Sequence, residues 1–331
     1  MSVAFVFPGQ GSQLPGMLHN LIPHPAVVRT LDEISEELHF DVRNVDTEHC
    51  LESDVSVQLA LFASGVATAR ALIEQDLRPT AVAGLSVGAF AAAIVAGVLQ
   101  LRDGVELVRL RAQKMEKLFP TGYGLSAIVG LSETQVAKIV QSETTQEVPV
   151  FVGNINAPRQ IVIAGADAGM EKVLDEARRQ GASKAVRLHV SVLSHCPLLQ
   201  PVADLLAKRI STMTLKAPEV TYVGNVNGRA IRTKELVAKD LVNNIAHGVR
   251  WHDATTVLQE LGCHLFLEMP PGHILSELAE QNLSGVNSVP VDPAVVPRIM
   301  MHYWKCSGRS RDLTHRKITP ELNWRRSAWE P

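Results

Sequence analysis

Short apolar runs alternate with longer apolar segments of helical character along the first hundred residues. The run Val3–Phe7 is ended by a Pro-Gly pair and predicts a buried strand followed by a turn. Residues 57–77 predict an apolar helix, Thr80–Ala83 a second buried strand, and Val87–Ala96 an alanine-rich helix. Strands and helices that alternate through short links are typical of an α/β domain built on a mostly parallel sheet.

The pattern changes near residue 124, where shorter strands and helices follow one another. The predicted strands and helices are Leu125–Gly130, a helix capped by Ser132 with Gln135, Val148–Val152, Gln160–Ala164, a helix over Asp167–Arg179, and Lys184–Val190. The order β-α-β-β-α-β is that of a ferredoxin-like unit. The sequence therefore predicts a discontinuous α/β core, residues 1–123 and 190–301, with a ferredoxin-like subdomain inserted at 124–189.

The core resumes after residue 190 and is followed by a stretch of different composition. Its predicted elements are a helix, a strand, a second helix and an apolar run, at Leu198–Arg209, Val220–Val223, Trp251–Leu261 and His264–Met269. Residues 302–331 have no sustained apolar period and are basic. We expect them to form a solvated surface tail.

Composition narrows the class of protein. The 331 residues are 46% hydrophobic and 20% charged, with a net charge of −2 and 5% aromatics, which argues against nucleic-acid binding. We expect no signal peptide and no apolar run of 18 residues, hence no membrane span. The four cysteines form no C-x-x-C pair and the 12 histidines show no ligand spacing. These features predict a cytoplasmic protein without a structural metal.

A Gly-x-Ser-x-Gly pentapeptide, Gly84 to Gly88, joins the predicted second strand to the following helix. The glycines permit a sharp turn that exposes the hydroxyl of Ser86 and leaves the backbone N–H of Val87 free to donate to an oxyanion. The same pattern also occurs by chance, and Ser86 then only caps a helix. The strand–turn–helix context favours a nucleophile and leaves the capping interpretation open.

Three further residues are candidates on chemical grounds. Gln10 lies in the glycine-flanked turn after the first strand, where it could hold or supply an oxyanion donor. Arg111 falls inside the apolar arc of a predicted helix, so its charge needs a partner, either a structural carboxylate or a substrate carboxylate. His195 lies where the chain leaves the inserted unit and has the side chain best suited to activate a serine, although any other histidine could serve.

Six motifs, in this order, resemble the malonyl-CoA:acyl-carrier-protein transacylase family over roughly residues 1–300. They are FPGQGSQ at 7–13, GLSVG at 84–88, Arg111 in RLRAQKM, NINAPRQIVIAG at 154–165, SHCPLL at 194–199 and EMPPGHIL at 268–275. Within the family, the stretch FPGQGSQLPGML and the form GLSVGAF are most like the epsilon subunit of malonate decarboxylase.

The resemblance implies that the fold is an α/β-hydrolase-like core with a ferredoxin-like insert. It also implies a role for each of several residues. Ser86 would be the nucleophile and His195 its base, while Arg111 would hold the malonyl carboxylate. Gln10 and the Val87 N–H would form the oxyanion site.

Three asparagines also match family positions. Asn154 and Asn156 would lie near the substrate entrance, and Asn244 would orient the histidine through its carbonyl, which removes the need for a triad aspartate. Two family positions differ, since Leu85 replaces a histidine beside the nucleophile and Pro270 replaces a glycine.

The implied activity is transfer of a malonyl group from malonyl-CoA, through a malonyl-serine, to the phosphopantetheine-type thiol of an acyl-carrier protein, with no bound cofactor. The carrier would be a subunit of malonate decarboxylase, whose other subunits would be further partners. One alternative is the transacylase of fatty-acid synthesis. A second is a serine hydrolase or thioesterase, with Asp167 or Asp175 as the triad acid, and a third is a non-catalytic docking subunit.

Overall fold

The computed structural model describes residues 2–188, 190 and 192–306, with the side chains of 302–306 left out. Within these residues the protein has an α/β fold with two sheets. The strands are β1 (Ser2–Phe7), β2 (Ala81–Gly84), β3 (Tyr123–Val129), β4 (Val150–Ala157), β5 (Gln160–Ala166), β6 (Lys184–Arg187), β7 (Thr221–Val223), β8 (Ala230–Ile231), β9 (Cys263–Glu268) and β10 (Asn287–Pro290).

The larger sheet has six strands in the order β10-β9-β1-β2-β7-β8. All neighbouring pairs are parallel except β7 with β8. Alternate residues of β1 pack on opposite faces: Phe5 and Phe7 belong to the main core cluster, whereas Ala4 and Val6 belong to a second cluster. A strand that is buried on both faces reads as a continuous apolar run, which is why it was predictable from sequence.

Helices cover both faces of this sheet. They are α1 (Pro25–Leu38), α2 (Asp54–Glu74), α3 (Gly88–Val95), α4 (Leu101–Leu118), α7 (Gln200–Ile210), α8 (Lys234–Asn243), α9 (Trp251–Glu260), α10 (Ile274–Asn282) and α11 (Val296–Cys306); α5 (Glu133–Glu143) and α6 (Asp167–Arg179) belong to the smaller sheet. Short 3-10 helices occupy Val42–Asp46, Cys50–Glu52 and Pro197–Leu199.

The smaller sheet is antiparallel, in the order β4-β5-β3-β6, and carries α5 and α6 over its own apolar cluster. The predicted capping box is present: Ser132 Oγ accepts from the Gln135 N–H, and the Gln135 side chain accepts from the Ser132 N–H. Strand β4 also touches the larger unit, where it forms an isolated parallel bridge between Asn154 and Val249.

Several predicted boundaries need correction. The first long helix begins at Asp54 rather than at residue 57, and the last strand of the small sheet ends at Arg187 rather than at residue 190. Residues 302–306 of the predicted tail continue α11, and residues 307–331 lie outside the described residues. Helices α1, α8, α10 and α11 and strands β8 and β10 were not predicted.

Helix α2 corrects one sequence expectation. By length and composition it could cross a membrane, although no such run was expected. However, 83% of its 18-residue apolar window is buried inside the fold, and several of its residues line the main core. A core helix that is covered on all sides has this composition, so α2 is weak evidence for a membrane protein.

Candidate active site

The turn between β2 and α3 has the geometry of a nucleophile elbow. Ser86 has a φ of 56°, which lies in the left-handed region that residues other than glycine rarely adopt. A Cβ on Gly84 would lie 2.1 Å from the carbonyl of Gly88, and a Cβ on Gly88 would lie 2.3 Å from the Phe7 oxygen. The two flanking glycines are therefore required by packing, because the turn is folded tightly on itself and against the end of β1.

The turn after β1 packs directly on this elbow. A Cβ on Gly9 would lie 2.8 Å from the Leu85 oxygen, and the Leu85 N–H donates to the Phe7 oxygen at 2.9 Å. The turn that contains Gln10 is thereby packed against the elbow, and a Cβ on Gly9 would also lie 3.5 Å from Ser86 Cβ. Neither the Gln10 N–H nor the Val87 N–H donates to another described residue, so both are available to a ligand.

The side chain of Gln10 is already engaged. Its Nε2 donates to Asp54 Oδ1 at 2.6 Å, and its Oε1 accepts from Gln58 Nε2 at 3.1 Å. If Gln10 supplies an oxyanion donor, the backbone N–H is the group that remains free to do so.

His195 joins Ser86 to Asn244. Its Nε2 lies 2.8 Å from Ser86 Oγ, and its Nδ1 lies 2.5 Å from the carbonyl oxygen of Asn244. A carbonyl oxygen can only accept, so Nδ1 must carry the proton and Nε2 presents its lone pair to the Ser86 hydroxyl. This is the tautomer that a base for Ser86 requires.

His195 is almost completely buried, and this controls its charge. Burial lowers the pKa of His195 most, and the positive charge of Arg111 lowers it further, from 6.5 to about 4. The bond to the Asn244 carbonyl opposes this shift because it favours the protonated ring. The imidazole is therefore neutral at physiological pH and able to accept a proton.

Arg111 is the third residue of the cluster. It lies on α4, is 0% exposed, and its Nη2 donates to Ser86 Oγ at 3.0 Å while its Nη1 donates to Gln58 Oε1. Burial lowers the pKa of Arg111 to about 9, although the charge of Asp54 opposes this. The guanidinium therefore remains a cation near pH 7, and its Nε–H has no hydrogen-bond partner among the described residues.

Asn154 and Asn156 lie on β4, where the smaller sheet approaches the larger unit. The Val249 N–H donates to the Gly153 oxygen, and the Ile155 N–H donates to the Val249 oxygen, both at 2.8 Å. The side-chain oxygens of the two asparagines are buried and have no hydrogen-bond partner among the described residues. The structure thus places them at the junction of the two units without joining them to Ser86 or Arg111.

Sequence analysis missed two residues that contact this cluster. Asn225, at the carboxyl end of β7, accepts from the Ser86 N–H at 2.9 Å, and Gln58 on α2 accepts from Arg111. A polar residue just after a predicted parallel strand was one signal for Asn225. A glutamine within an otherwise apolar helix was the signal for Gln58.

The aspartates of the hydrolase alternative lie elsewhere. Asp167 pairs with Arg187 at 2.9 Å, and Asp175 pairs with Arg178 at 2.6 Å, all on the smaller unit. The Nδ1 atom of His195 faces the Asn244 carbonyl in the position that a triad carboxylate would occupy. Neither Asp167 nor Asp175 therefore supplies the triad acid that the hydrolase alternative requires.

Metal and thiol chemistry find little support in the described part of the chain. No group of three or more His, Cys, Asp or Glu side chains there could hold a metal ion. Cys196 follows His195 but is buried, and burial raises the pKa of its thiol to about 12. A thiol with so high a pKa is a poor nucleophile at neutral pH.

Comparison with known proteins places this geometry in a family. The model of the acyl transferase domain family matches residues 4–302. The chain is 33% identical over 297 residues to a malonyl CoA-acyl carrier protein transacylase of Haemophilus influenzae, with 87% of this chain and 95% of that protein covered. It is 34% identical over 284 residues to the protein of that name from Escherichia coli strain K12, with coverage of 84% and 92%.

Solved structures agree with the sequence matches. The malonyl CoA-acyl carrier protein transacylase of Coxiella burnetii superposes with a TM-score of 0.87 at 31% identity and covers 91% of this chain and 97% of its own. A malonyl-transacylase solved in complex with its type II PKS acyl-carrier protein gives 0.87 at 32% identity, with coverage of 91% and 100%. The chain therefore belongs to the acyl transferase family that includes the malonyl-CoA:acyl-carrier-protein transacylases, and it is an acyltransferase.

Proposed function

We propose that this acyltransferase moves a malonyl group from malonyl-CoA to the thiol of an acyl-carrier protein, through an ester on Ser86. The observation that carries the proposal is the fully buried Arg111 guanidinium 3.0 Å from Ser86 Oγ. A buried cation beside a nucleophile is costly unless an anionic group of the substrate joins it. The free carboxylate of a malonyl group is such an anion, whereas an acetyl group offers none.

In the first half-reaction, His195 Nε2 takes the proton of the Ser86 hydroxyl, and Oγ attacks the thioester carbonyl carbon. The carbon–sulfur bond breaks, and the CoA sulfur leaves as a thiol with the proton from His195. The malonyl group remains as an ester on Oγ, and its carboxylate pairs with the Arg111 guanidinium.

In the second half-reaction, the thiol on the phosphopantetheine arm of the carrier gives its proton to His195. Its sulfur attacks the ester carbonyl, the carbon–oxygen bond breaks, and Ser86 Oγ recovers the proton. The second step returns Ser86 and His195 to their starting protonation states, so the cycle closes on these two residues.

Both half-reactions pass through a tetrahedral intermediate whose oxyanion needs donors. The Val87 N–H follows the nucleophile, and the Gln10 N–H lies in the turn packed on the elbow. We assign these two backbone groups to the oxyanion site, and Asn154 and Asn156 to the substrate entrance. Loss of one oxyanion donor costs about 3 kcal/mol of transition-state stabilisation.

Two carrier proteins are candidates for the acceptor of the malonyl group. The stretch FPGQGSQLPGML and the form GLSVGAF favour the carrier subunit of malonate decarboxylase. The relatives from Haemophilus influenzae and Escherichia coli are named only for transfer to an acyl carrier protein, which supports the alternative of fatty-acid synthesis equally. Either carrier would be met in the cytoplasm, which is the location that we propose.

The domain organisation is also part of the proposal. We assign residues 1–123 and 190–301 to an α/β-hydrolase-like core and 124–189 to a ferredoxin-like insert. The order β4-β5-β3-β6, with helices α5 and α6 packed against one sheet, supports the second assignment.

The test of the proposed function is intact mass after brief incubation with malonyl-CoA and, separately, acetyl-CoA. We expect wild-type protein to gain one malonyl group and little acetyl, because only the malonyl carboxylate can pair with Arg111. Equal gain of both acyl groups would contradict the proposed substrate. Release of CoA without an adduct would instead favour the thioesterase alternative.

The pH dependence follows from the buried histidine. We expect acylation of Ser86 to be nearly independent of pH between about 6 and 8 and to fall only in acid, because His195 is active when neutral and its pKa lies near 4. Arg111→Ala removes one of the two causes of that lowered pKa, so the inflection should move to higher pH. Burial, the larger cause, remains, and the inflection should still lie below 6.5.

The rate of serine sulfonylation by phenylmethanesulfonyl fluoride, measured from pH 4 to 8, checks this expectation without a malonyl group. A wild-type inflection at or above 6.5 would contradict a buried neutral His195. An Arg111→Ala inflection that moves to lower pH would contradict the influence of the guanidinium.

A further inference from the structure

Asn225 binds the nucleophile turn on both sides of Leu85, immediately before Ser86. Its Oδ1 accepts from the Ser86 N–H at 2.9 Å, and its Nδ2 donates to the Gly84 carbonyl at 2.8 Å. The residue is 2% exposed, so water cannot replace either bond easily. One planar amide therefore fixes the two peptide groups from which the left-handed turn departs.

The backbone of Asn225 is itself held from two directions. The buried carboxylate of Asp240 accepts from the N–H groups of Asn225 and Val226 at 2.9 and 3.0 Å, and from the hydroxyl of Tyr222 at 2.9 Å. The backbone N–H of Arg250 donates to the backbone carbonyl oxygen of Asn225 at 2.8 Å. The backbone of Asn225 is thus fixed by hydrogen bonds. Its side-chain amide therefore has little freedom to shift together with the Ser86 turn.

The turn needs such support. A serine with φ at 56° stores backbone strain, which persists only where surrounding contacts maintain it. The direction of Ser86 Oγ follows from that backbone, and Oγ must stay 2.8 Å from His195 Nε2. A displacement of about 1 Å can reduce a reaction rate about 100-fold.

We infer that Asn225 is a positioning residue, which holds Ser86 Oγ in line with His195 Nε2 through its two bonds to the elbow. The inference rests on the proposed role of Ser86 as nucleophile, but not on the malonyl group as its substrate. In the described part of the chain, Asn225 forms no hydrogen bond with Arg111 or Gln58, so binding of the acyl-CoA carboxylate should be unaffected by its loss.

The experiment compares Asn225→Ala and Asn225→Asp with wild type in two reactions. One is single-turnover formation of the malonyl adduct, and the other is sulfonylation of serine by phenylmethanesulfonyl fluoride. We expect Asn225→Ala to slow both reactions 10- to 100-fold, with KM for malonyl-CoA changed less than 3-fold and the pH inflection unchanged. Asn225→Asp should be slowed at least as much, because a carboxylate oxygen would face the Gly84 carbonyl.

Val173→Ala is the control for general loss of stability. Val173 is buried in the small apolar cluster of the inserted unit, away from the elbow. This variant should lower the unfolding temperature and leave both rates within 2-fold of wild type. If it slows both reactions as much as Asn225→Ala does, or if Asn225→Ala keeps wild-type rates, Asn225 has no positioning role.

The two reactions separate this inference from the proposed function. If wild type reacts with the sulfonyl fluoride but gains no malonyl group, the substrate proposal fails, while the effect of Asn225→Ala on sulfonylation still decides the positioning role. A KM for malonyl-CoA that rises in parallel with the loss of rate would assign Asn225 to substrate binding and overturn the inference.

Discussion

Ser86→Ala is expected to form no malonyl adduct and to lose transfer to the carrier by about 10⁴- to 10⁶-fold. The substitution removes Oγ, the atom to which both His195 Nε2 and Arg111 Nη2 are hydrogen-bonded. Without it no ester can form, and the histidine has no hydroxyl to deprotonate. Intact mass measures the adduct, and transfer of malonyl to a carrier protein measures the turnover.

Alanine at this position should leave the fold intact. The backbone bonds to Asn225 and to the side chain of Asn244 do not involve Oγ, so the turn remains supported. Ser142→Ala on α5 is the matched control: the partners of its hydroxyl, the Ile139 oxygen and the Glu143 carboxylate, belong to its own helix, and the variant should keep full activity. A malonyl adduct of wild-type amount on Ser86→Ala would show that another residue is the nucleophile.

The sequence predicted the strands that are buried on both faces, because their apolar runs are continuous. It also predicted the turn at Ser86, since Gly84 and Gly88 can be recognised as a pattern. What it could not predict from residues alone is that Ser86 and His195, 109 positions apart, share a hydrogen bond. That contact depends on how the chain returns from the inserted unit, and only the family resemblance anticipated it.

The supporting residues were hidden for a physical reason. Asn225 lies 139 positions from Ser86, and its role arises because β7 is the neighbour of β2 in the sheet. Strand order is a property of the whole fold, which a local pattern does not specify. Gln58 could not be predicted because α2 is buried on nearly all sides. The pattern of apolar residues along α2 therefore does not show which side faces Arg111.

The same arrangement explains why a cation can be kept in the core. Arg111, Gln58 and Gln10 form a chain of hydrogen bonds that ends at the carboxylate of Asp54. These bonds compensate part of the cost of burying the charge, but the Nε–H is left for another acceptor. A buried charge that keeps an unused donor is expected where a ligand, and not the fold alone, supplies the remaining partner.

Arg111→Ala is expected to reduce malonyl acylation of Ser86 by about 30-fold or more, while acetyl acylation changes far less. Truncating one member of a buried charge pair costs about 2–5 kcal/mol, and each 1.4 kcal/mol is a factor of ten. The acetyl thioester never makes this pair, so the ratio of malonyl to acetyl adduct measures the contribution of the guanidinium. Single-turnover intact mass with each thioester gives that ratio.

Arg109 provides the matched control, because it is an arginine on the same helix but its side chain is exposed to solvent. Arg109→Ala should leave the malonyl-to-acetyl ratio unchanged. Arg111→Met should lose the preference as Arg111→Ala does, because it removes the charge and keeps an apolar side chain of similar length. A variant at Arg111 that keeps the wild-type ratio would mean that the buried guanidinium is structural and that another group selects the malonyl substrate.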